Sequence, residues 1–204
     1  MSEQKIFEIP ASAKEKAWID NDTYLKMYQE SVEDPEGFWD KQADRLDWFK
    51  KWDRTLDWDY NKAYIRWYEG GKLNVSHNCL DRHLEARGDQ KALIWESDDP
   101  KVDRSFTYKQ LHSEVSKFAN VMKALGVVKG DRVMIYMPMI PELAIACLAC
   151  ARIGAVHSVV FGGFSSEALK NRIIDCDGKM LITANAGVRG GKSVPLKQNA
   201  DAAM

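Results

Sequence analysis

The sequence is poor in features that mark secreted and nucleic-acid-binding proteins. Its 204 residues include only four cysteines. Because their spacing forms no disulfide framework, we expect reduced thiols and a cytoplasmic protein. The net charge at neutral pH is only −1. A nucleic-acid-binding domain needs a strongly basic surface, so this balance argues against a nucleic-acid partner.

No segment predicts export or membrane insertion. The first residues, MSEQKIFEIPASAKEKAW, lack the apolar core of a signal peptide. Residues 133–151 form an apolar stretch whose only charged residue is Glu142, but Pro138 and Pro141 interrupt it. The stretch therefore predicts a buried strand followed by a buried helix, and we expect no membrane partner.

What the sequence does have is a folded composition with an uneven distribution of charge. Hydrophobic residues make up 45% of the chain, which excludes extensive disorder. Residues 1–60 carry a net charge of −6 and residues 61–204 a net charge of +5. The second part is therefore electrostatically suited to an anionic small molecule.

Tryptophan divides the chain into two predicted domains, residues 1–70 and residues 71–204. Six of the seven tryptophans fall in the first. There, DPEGFWDKQADRLDWFKKW places Pro35 near a helix start and repeats apolar residues at helical spacing. We predict a Trp-rich helical region packed through its aromatic faces on the rest of the protein. A Gly-Gly turn in YEGGKLN marks the junction.

The second domain alternates helices with apolar strands. FTYKQLHSEVSKFANVMKALG predicts an amphipathic helix ended by Gly126. Its predicted buried face is Leu111, Val115, Phe118, Val121, Met122 and Leu125. The segments DRVMIYM, AVHSVVF and KMLIT predict buried strands, with helices between them. The pattern indicates an α/β fold containing part of a doubly wound parallel sheet.

The cysteines and histidines are potential metal ligands, but their spacing indicates a site only weakly. Cys147 and Cys150 form a Cys-x-x-Cys motif, but they fall in the middle of a predicted apolar helix. A buried structural pair is therefore the main interpretation, with a redox pair or metal site as the alternatives. The four histidines never fall at metal-ligand spacing, so we predict no metal site.

Two glycine-rich stretches are candidate binding sites. In VVFGGFSS, Gly162 and Gly163 follow a predicted strand and precede a helix, at the position where α/β sheets bind ligands. The alternative is a simple strand-to-helix turn. In AGVRGGKS, the glycines lack exact P-loop spacing, but Arg189 and Lys192 supply two cations beside exposed backbone N–H groups. That arrangement suits an anion.

No general acid–base pair, nucleophile triad or complete metal site is evident in the sequence. If the protein is an enzyme, we expect its chemistry to lie in another part of a longer chain. The predicted helix at the end of the sequence, and a three-stranded sheet with two open edges, are consistent with a fragment.

Four stretches together resemble the amino-terminal third of the AMP-forming acetyl-CoA synthetases of bacterial type. They are DPEGFWDKQADRLDW, RWYEGGKLNVSHNCLDRH, MPMIPELAIACLACARIGAVHSVVFGGFSSEAL and GVRGGKSVPLK. The resemblance implies a two-step ligase. Acetate and ATP give acetyl-adenylate and pyrophosphate, and coenzyme A then displaces AMP to form acetyl-CoA.

The resemblance also implies roles for residues of this chain. Arg189, Gly190, Gly191 and Lys192 correspond to a loop that meets the 3′-phosphate end of coenzyme A. Phe161, Gly162 and Gly163 correspond to residues that border the adenine. Lys192 stands where many relatives carry a second arginine. An arginine can bind phosphate through two donors, whereas a lysine contributes a point charge.

The family's sites for ATP and Mg²⁺, its acetate pocket and its catalytic lysine belong to later parts of the chain. We therefore expect these 204 residues alone to be inactive. The resemblance further implies regulation by a protein acetyltransferase and deacetylase that act on the C-terminal domain, which these residues do not include. The alternative function is a stand-alone module that binds coenzyme A or a nucleotide without catalysis.

Overall fold

The computed structural model describes residues 7–204. The chain divides into two compact units, Met1–Lys72 and Leu73–Met204. The elements of the first unit are helices α1 (Ala11–Lys16), α2 (Asn21–Glu33) and α3 (Pro35–Ala43) and strands β1 (Arg54–Asp59) and β2 (Tyr64–Glu69). The second unit begins with α4 (Val75–Cys79), α5 (Leu84–Arg87), β3 (Lys91–Glu96), β4 (Asp103–Thr107) and α6 (Tyr108–Ala124). It continues with β5 (Arg132–Met137), α7 (Pro141–Ile153), β6 (Val156–Phe161), α8 (Ser166–Asp175), β7 (Met180–Thr183), β8 (Gly187–Arg189), β9 (Lys192–Val194) and α9 (Leu196–Ala203).

The first unit is only partly helical, which corrects the prediction of a helical region. Helix α3 does begin at Pro35, where Asp34 caps it by accepting the backbone N–H of Gly37. However, β1 and β2 form an antiparallel hairpin that contains Trp58 and Trp67. Aromatic and β-branched residues favour strands, which explains why these tryptophans lie in a hairpin and not in helices. The packing of this region on the sheet stays a prediction.

A three-stranded parallel sheet forms the centre of the second unit, in the order β6-β5-β7. The pairs run from Arg132–Val156 to Met137–Phe161 on one side of β5, and from Val133–Met180 to Tyr136–Thr183 on the other. Helices alternate with these strands along the chain, as predicted. The unit is thus a mixed α/β structure, and the complete doubly wound sheet stays a prediction.

Strand β5 is buried on both faces because its side chains alternate between two hydrophobic clusters. Val133, Ile135 and Met137 pack with residues of α6 and α7. Met134 and Tyr136 pack with Leu169 of α8 and with residues of α9. Side chains of a strand point alternately to opposite faces, so an uninterrupted apolar run fills both clusters.

Two predictions of burial in this unit were wrong. In β6 only Val160 is buried, and Val159 and Phe161 are half exposed, because β6 forms one edge of the three-stranded sheet. In α6 the buried residues are Leu111, Val115, Ala119 and Met122, whereas Val121 and Leu125 are exposed. The helical spacing was right, but the contact face is narrower than the apolar stripe.

Local signals fix the ends of the helices. A capping box starts α6: Thr107 accepts the N–H of Gln110 (3.2 Å), and the Gln110 side chain accepts the N–H of Thr107 (2.9 Å). Gly126, with φ of 86°, follows its end as predicted. Ser165 caps α8 by accepting the N–H of Ala168 (3.3 Å). Strands β3 and β4 form an antiparallel hairpin that the sequence analysis missed.

Candidate functional site

The two glycine-rich stretches lie together at the carboxyl end of the parallel strands. Strand β6 ends at Phe161, and the hairpin of β8 and β9 follows β7 after three residues. The guanidinium carbon of Arg189 lies 5.0 Å from the centroid of the Phe161 ring. The structure therefore joins two stretches that are separated by 19 residues in the sequence. Carboxyl ends of parallel strands are the usual ligand-binding edge of such sheets.

The hairpin explains the sequence GVRGGKS. Gly190 and Gly191 are its two turn residues, with φ of 56° and 71°. A two-residue turn with positive φ at both positions matches the twist of the flanking strands, and glycine adopts it without strain. The space around both glycines is open, since a Cβ on either would have no neighbour within 4 Å. The stretch is thus a β-hairpin and not a P-loop, which would lead into a helix.

This turn places two positive charges side by side. Arg189 pairs with Lys192 across the hairpin, so their side chains lie on the same face. Like charges in directly opposite positions repel each other. Within residues 7–204 neither side chain has a carboxylate partner. An anion bound here would relieve the repulsion.

Glycines allow the site's backbone segments to approach closely. A Cβ on Gly163 would lie 2.6 Å from Cε1 of Phe161 and 3.4 Å from Nη1 of Arg189. A Cβ on Gly162 would lie 3.3 Å from the backbone oxygen of Met137. A Cβ on Gly187, at the start of the hairpin, would lie 3.0 Å from Cβ of Pro138. The absence of side chains at these positions therefore lets the Gly162–Gly163 turn and the hairpin pack beside the end of β5.

The buried Tyr136 side chain holds the segment that follows Gly162 and Gly163, and the sequence analysis did not identify this residue. This side chain is fully buried, and its hydroxyl donates to the backbone oxygen of Phe164 (2.8 Å). Asn199 of α9 donates in turn to the Tyr136 hydroxyl (3.2 Å). A tyrosine within the apolar run DRVMIYM was the available signal, because a buried hydroxyl requires a hydrogen-bond partner.

One carboxylate already contacts the hairpin. The backbone N–H of Gly191 donates to Oδ2 of Asp98, at 3.4 Å. Asp98 lies in the turn between β3 and β4. The N–H group at the tip of the hairpin is thus accessible to an anionic oxygen. A negatively charged ligand at this position would also meet repulsion from Asp98.

The other candidate ligands of the sequence analysis form no comparable site. All four cysteines are free, and burial raises the pKa of the Cys150 thiol to about 11. This keeps it protonated near neutral pH and supports the structural interpretation. No group of three or more His, Cys, Asp or Glu side chains in residues 7–204 could hold a metal ion. No helix in this range has the length and apolar character needed to cross a membrane.

A second polar cluster lies away from the hairpin, near the amino end of β6. Arg152 donates to both carboxylate oxygens of Asp81, at 2.7 and 2.9 Å. Nε2 of His112 lies 3.1 Å from Arg152 and 3.3 Å from Asp81. Hydrogen bonding from Arg152 lowers the pKa of Asp81 below its usual range. The cluster joins α6 and α7 to the chain before α5, so its role is structural.

Comparison with known proteins identifies the class. Residues 80–203 match the family model described as AMP-binding enzyme. The chain therefore belongs to the AMP-binding enzyme family. Residues 24–79 match a second model, the acetyl-coenzyme A synthetase N-terminus.

The relatives define the branch of the family. The chain is 61% identical over 200 residues to an acetyl-coenzyme A synthetase of Syntrophus aciditrophicus, covering 98% of this chain and 31% of that protein. It is 60% identical over 205 residues to an acetyl-coenzyme A synthetase of Alkalilimnicola ehrlichii, covering 100% of this chain and 32% of that protein. The resemblance found in the sequence is confirmed. The chain spans about a third of the length of these relatives.

Proposed function

We propose that this chain is the amino-terminal segment of an acetate–CoA ligase. The complete enzyme converts ATP, acetate and coenzyme A to AMP, pyrophosphate and acetyl-CoA through acetyl-adenylate. Similarity to acetyl-coenzyme A synthetases along almost the whole chain supports this reaction. The sites for ATP, Mg²⁺ and acetate lie in later parts of the complete enzyme. The amino-terminal segment contributes the coenzyme A loop.

The observation that carries the loop assignment is the placement of Arg189. Its guanidinium lies over Phe161 and has no carboxylate partner in residues 7–204, while Lys192 stands directly opposite it. Arg189 can donate two parallel hydrogen bonds to the 3′-phosphate of coenzyme A, and Lys192 adds charge. Gly190 and Gly191 leave space for the phosphate. Phe161, Gly162 and Gly163 border the adenine.

The two half-reactions of the complete enzyme provide the test. Arg189→Ala removes a charge-assisted hydrogen bond worth about 1.5–3 kcal/mol, so apparent coenzyme A affinity should fall about 10- to 150-fold. Acetate-dependent ATP–pyrophosphate exchange should stay unchanged, because that step needs no coenzyme A. Arg87→Ala is the matched control, since it removes the same charge from exposed helix α5. Equal loss in both half-reactions would contradict the proposal.

A further inference from the structure

A ladder of two aromatic rings between two guanidinium groups extends from Arg189 into helix α8. The Phe161 ring, under Arg189, meets the Phe164 ring edge-on, with centroids 5.8 Å apart and an interplanar angle of 79°. The guanidinium carbon of Arg172 lies 4.6 Å from the Phe164 centroid. Edge-to-face rings and guanidinium–ring contacts are both attractive arrangements. The order Arg189, Phe161, Phe164, Arg172 is therefore a connected set of contacts.

The ladder is held at its helical end and open at the hairpin end. Nη1 of Arg172 donates to the backbone oxygen of Ala168 (3.0 Å), one turn earlier in α8. The backbone oxygen of Phe164 accepts from the buried Tyr136 hydroxyl. Phe161 is 50% exposed and Phe164 39% exposed, so both rings have solvent on part of their surface. Without Phe164 beside it, the Phe161 ring would have more rotational freedom.

The rotational freedom of the Phe161 ring matters because the Arg189 guanidinium stacks on that ring. A long side chain on a hairpin loses conformational entropy when a ligand fixes it, and that loss weakens binding. Stacking on a fixed ring reduces the loss by preordering the guanidinium before the ligand arrives. Gly163 makes the stack possible, since a Cβ there would collide with the Phe161 ring.

We propose that Phe164 and Arg172 are positioning residues for coenzyme A: they fix the Phe161 ring and, through it, the Arg189 guanidinium. This inference rests on the proposed function of Arg189. Neither residue is assigned a contact with the ligand, so both act through Arg189. A purely structural role for the ladder would stabilise α8 and its preceding turn but leave coenzyme A affinity unchanged.

The test is a double-mutant cycle in the complete enzyme, with coenzyme A affinity measured by calorimetry. Arg172→Met should weaken binding about 2- to 5-fold, the equivalent of an exposed cation–ring contact. Phe164→Leu should have an effect of the same size, while Phe164→Tyr, which keeps the ring, should retain affinity. Lys170→Ala removes an equal charge from an exposed position of α8 and should change nothing. ATP–pyrophosphate exchange confirms that each variant is folded.

The decisive comparison is made in the Arg189→Ala background. If Arg172 acts through Arg189, adding Arg172→Met to Arg189→Ala should cause no further loss. Additive losses would show that Arg172 contacts the ligand itself and would overturn the positioning role. An unchanged affinity in Arg172→Met and Phe164→Leu would also overturn it. If Arg189→Ala alone leaves affinity unchanged, the proposed function fails, and the positioning role fails with it.

Discussion

The two ends of the parallel sheet differ in how positive charge is neutralised. At the amino end, Arg132 pairs with Asp177, Arg152 with Asp81 and Lys179 with Asp131, while Lys129 has no carboxylate partner within residues 7–204. At the carboxyl end, Arg189 and Lys192 stand side by side, and no described carboxylate pairs with either. Cations that already have partners hold elements together. A pair of adjacent cations without such partners is available to an external anion, which supports the ligand site proposed at the carboxyl end.

The strongest way to break this contrast is to remove a partner at the amino end. Asp81→Asn leaves Arg152, whose side chain is only 28% exposed, without its counter-charge. The free energy of unfolding should fall by about 1–3 kcal/mol in urea denaturation of the complete enzyme. Asp89→Asn is the control, because Asp89 pairs with Lys109 at an exposed position. A loss of coenzyme A affinity in Asp81→Asn, with stability unchanged, would contradict the division of roles.

The same pair predicts a pH dependence. The pKa of Asp81 is lowered in the folded state, chiefly by hydrogen bonding from Arg152. The contribution of Asp81 is therefore complete above its unfolded pKa of about 3.9 and is lost as the pH falls through the lower folded value. Asp81→Asn should lack this acid-dependent loss. Stability curves of the two proteins should converge as the pH falls below about 4.

A medium effect is expected at the hairpin turn. Gly190→Val places a β-branched residue at a φ of 56°, which costs about 1–2 kcal/mol and should weaken coenzyme A binding about 5- to 30-fold. Gly190→Asn is the matched control, because Asn-Gly is a favoured pair for this turn. Retained affinity in both variants would show that the turn geometry does not matter for the ligand.

The smallest effect sharpens the contrast by making the carboxyl end more positive. Asp98→Asn removes the carboxylate that accepts the N–H of Gly191, so coenzyme A affinity should rise about 1.5- to 5-fold at low salt. Asp99→Asn removes the same charge from the same turn, although its carboxylate accepts the N–H of Lys101 instead. Its effect should be smaller. Weaker binding in Asp98→Asn would mean that Asp98 orders the loop for the ligand.

Local sequence signals predicted much of the second unit. Gly126 gave the end of α6, and the interruption at Pro138 and Pro141 separated β5 from α7. Each of these signals acts within one turn of chain, so it can be found without knowledge of distant contacts. The parallel pairing was also predictable, because apolar strands that alternate with helices along the chain form parallel sheets.

Long-range geometry could not be predicted in this way. The half-exposed state of β6 depends on its place at the edge of the three-stranded sheet, and the strands of the tryptophan-rich hairpin depend on their cross-strand pairs. The stack of Arg189 on Phe161 joins residues on different elements, so no local pattern indicates it. Arg189 was a candidate because of its own glycine-rich stretch, and Phe161 gained its role from the family resemblance, but neither signal paired the two residues.

Binding of coenzyme A and of dephospho-coenzyme A, which lacks the 3′-phosphate, tests the central claim most directly. The complete enzyme should prefer coenzyme A by about 10- to 150-fold, the value of the charge-assisted contact with Arg189. The Arg189→Ala variant should bind both compounds with nearly equal affinity, because the protein and ligand changes remove the same contact. If the variant keeps the full preference for coenzyme A, Arg189 does not hold the phosphate, and its lack of a carboxylate partner has no bearing on ligand binding.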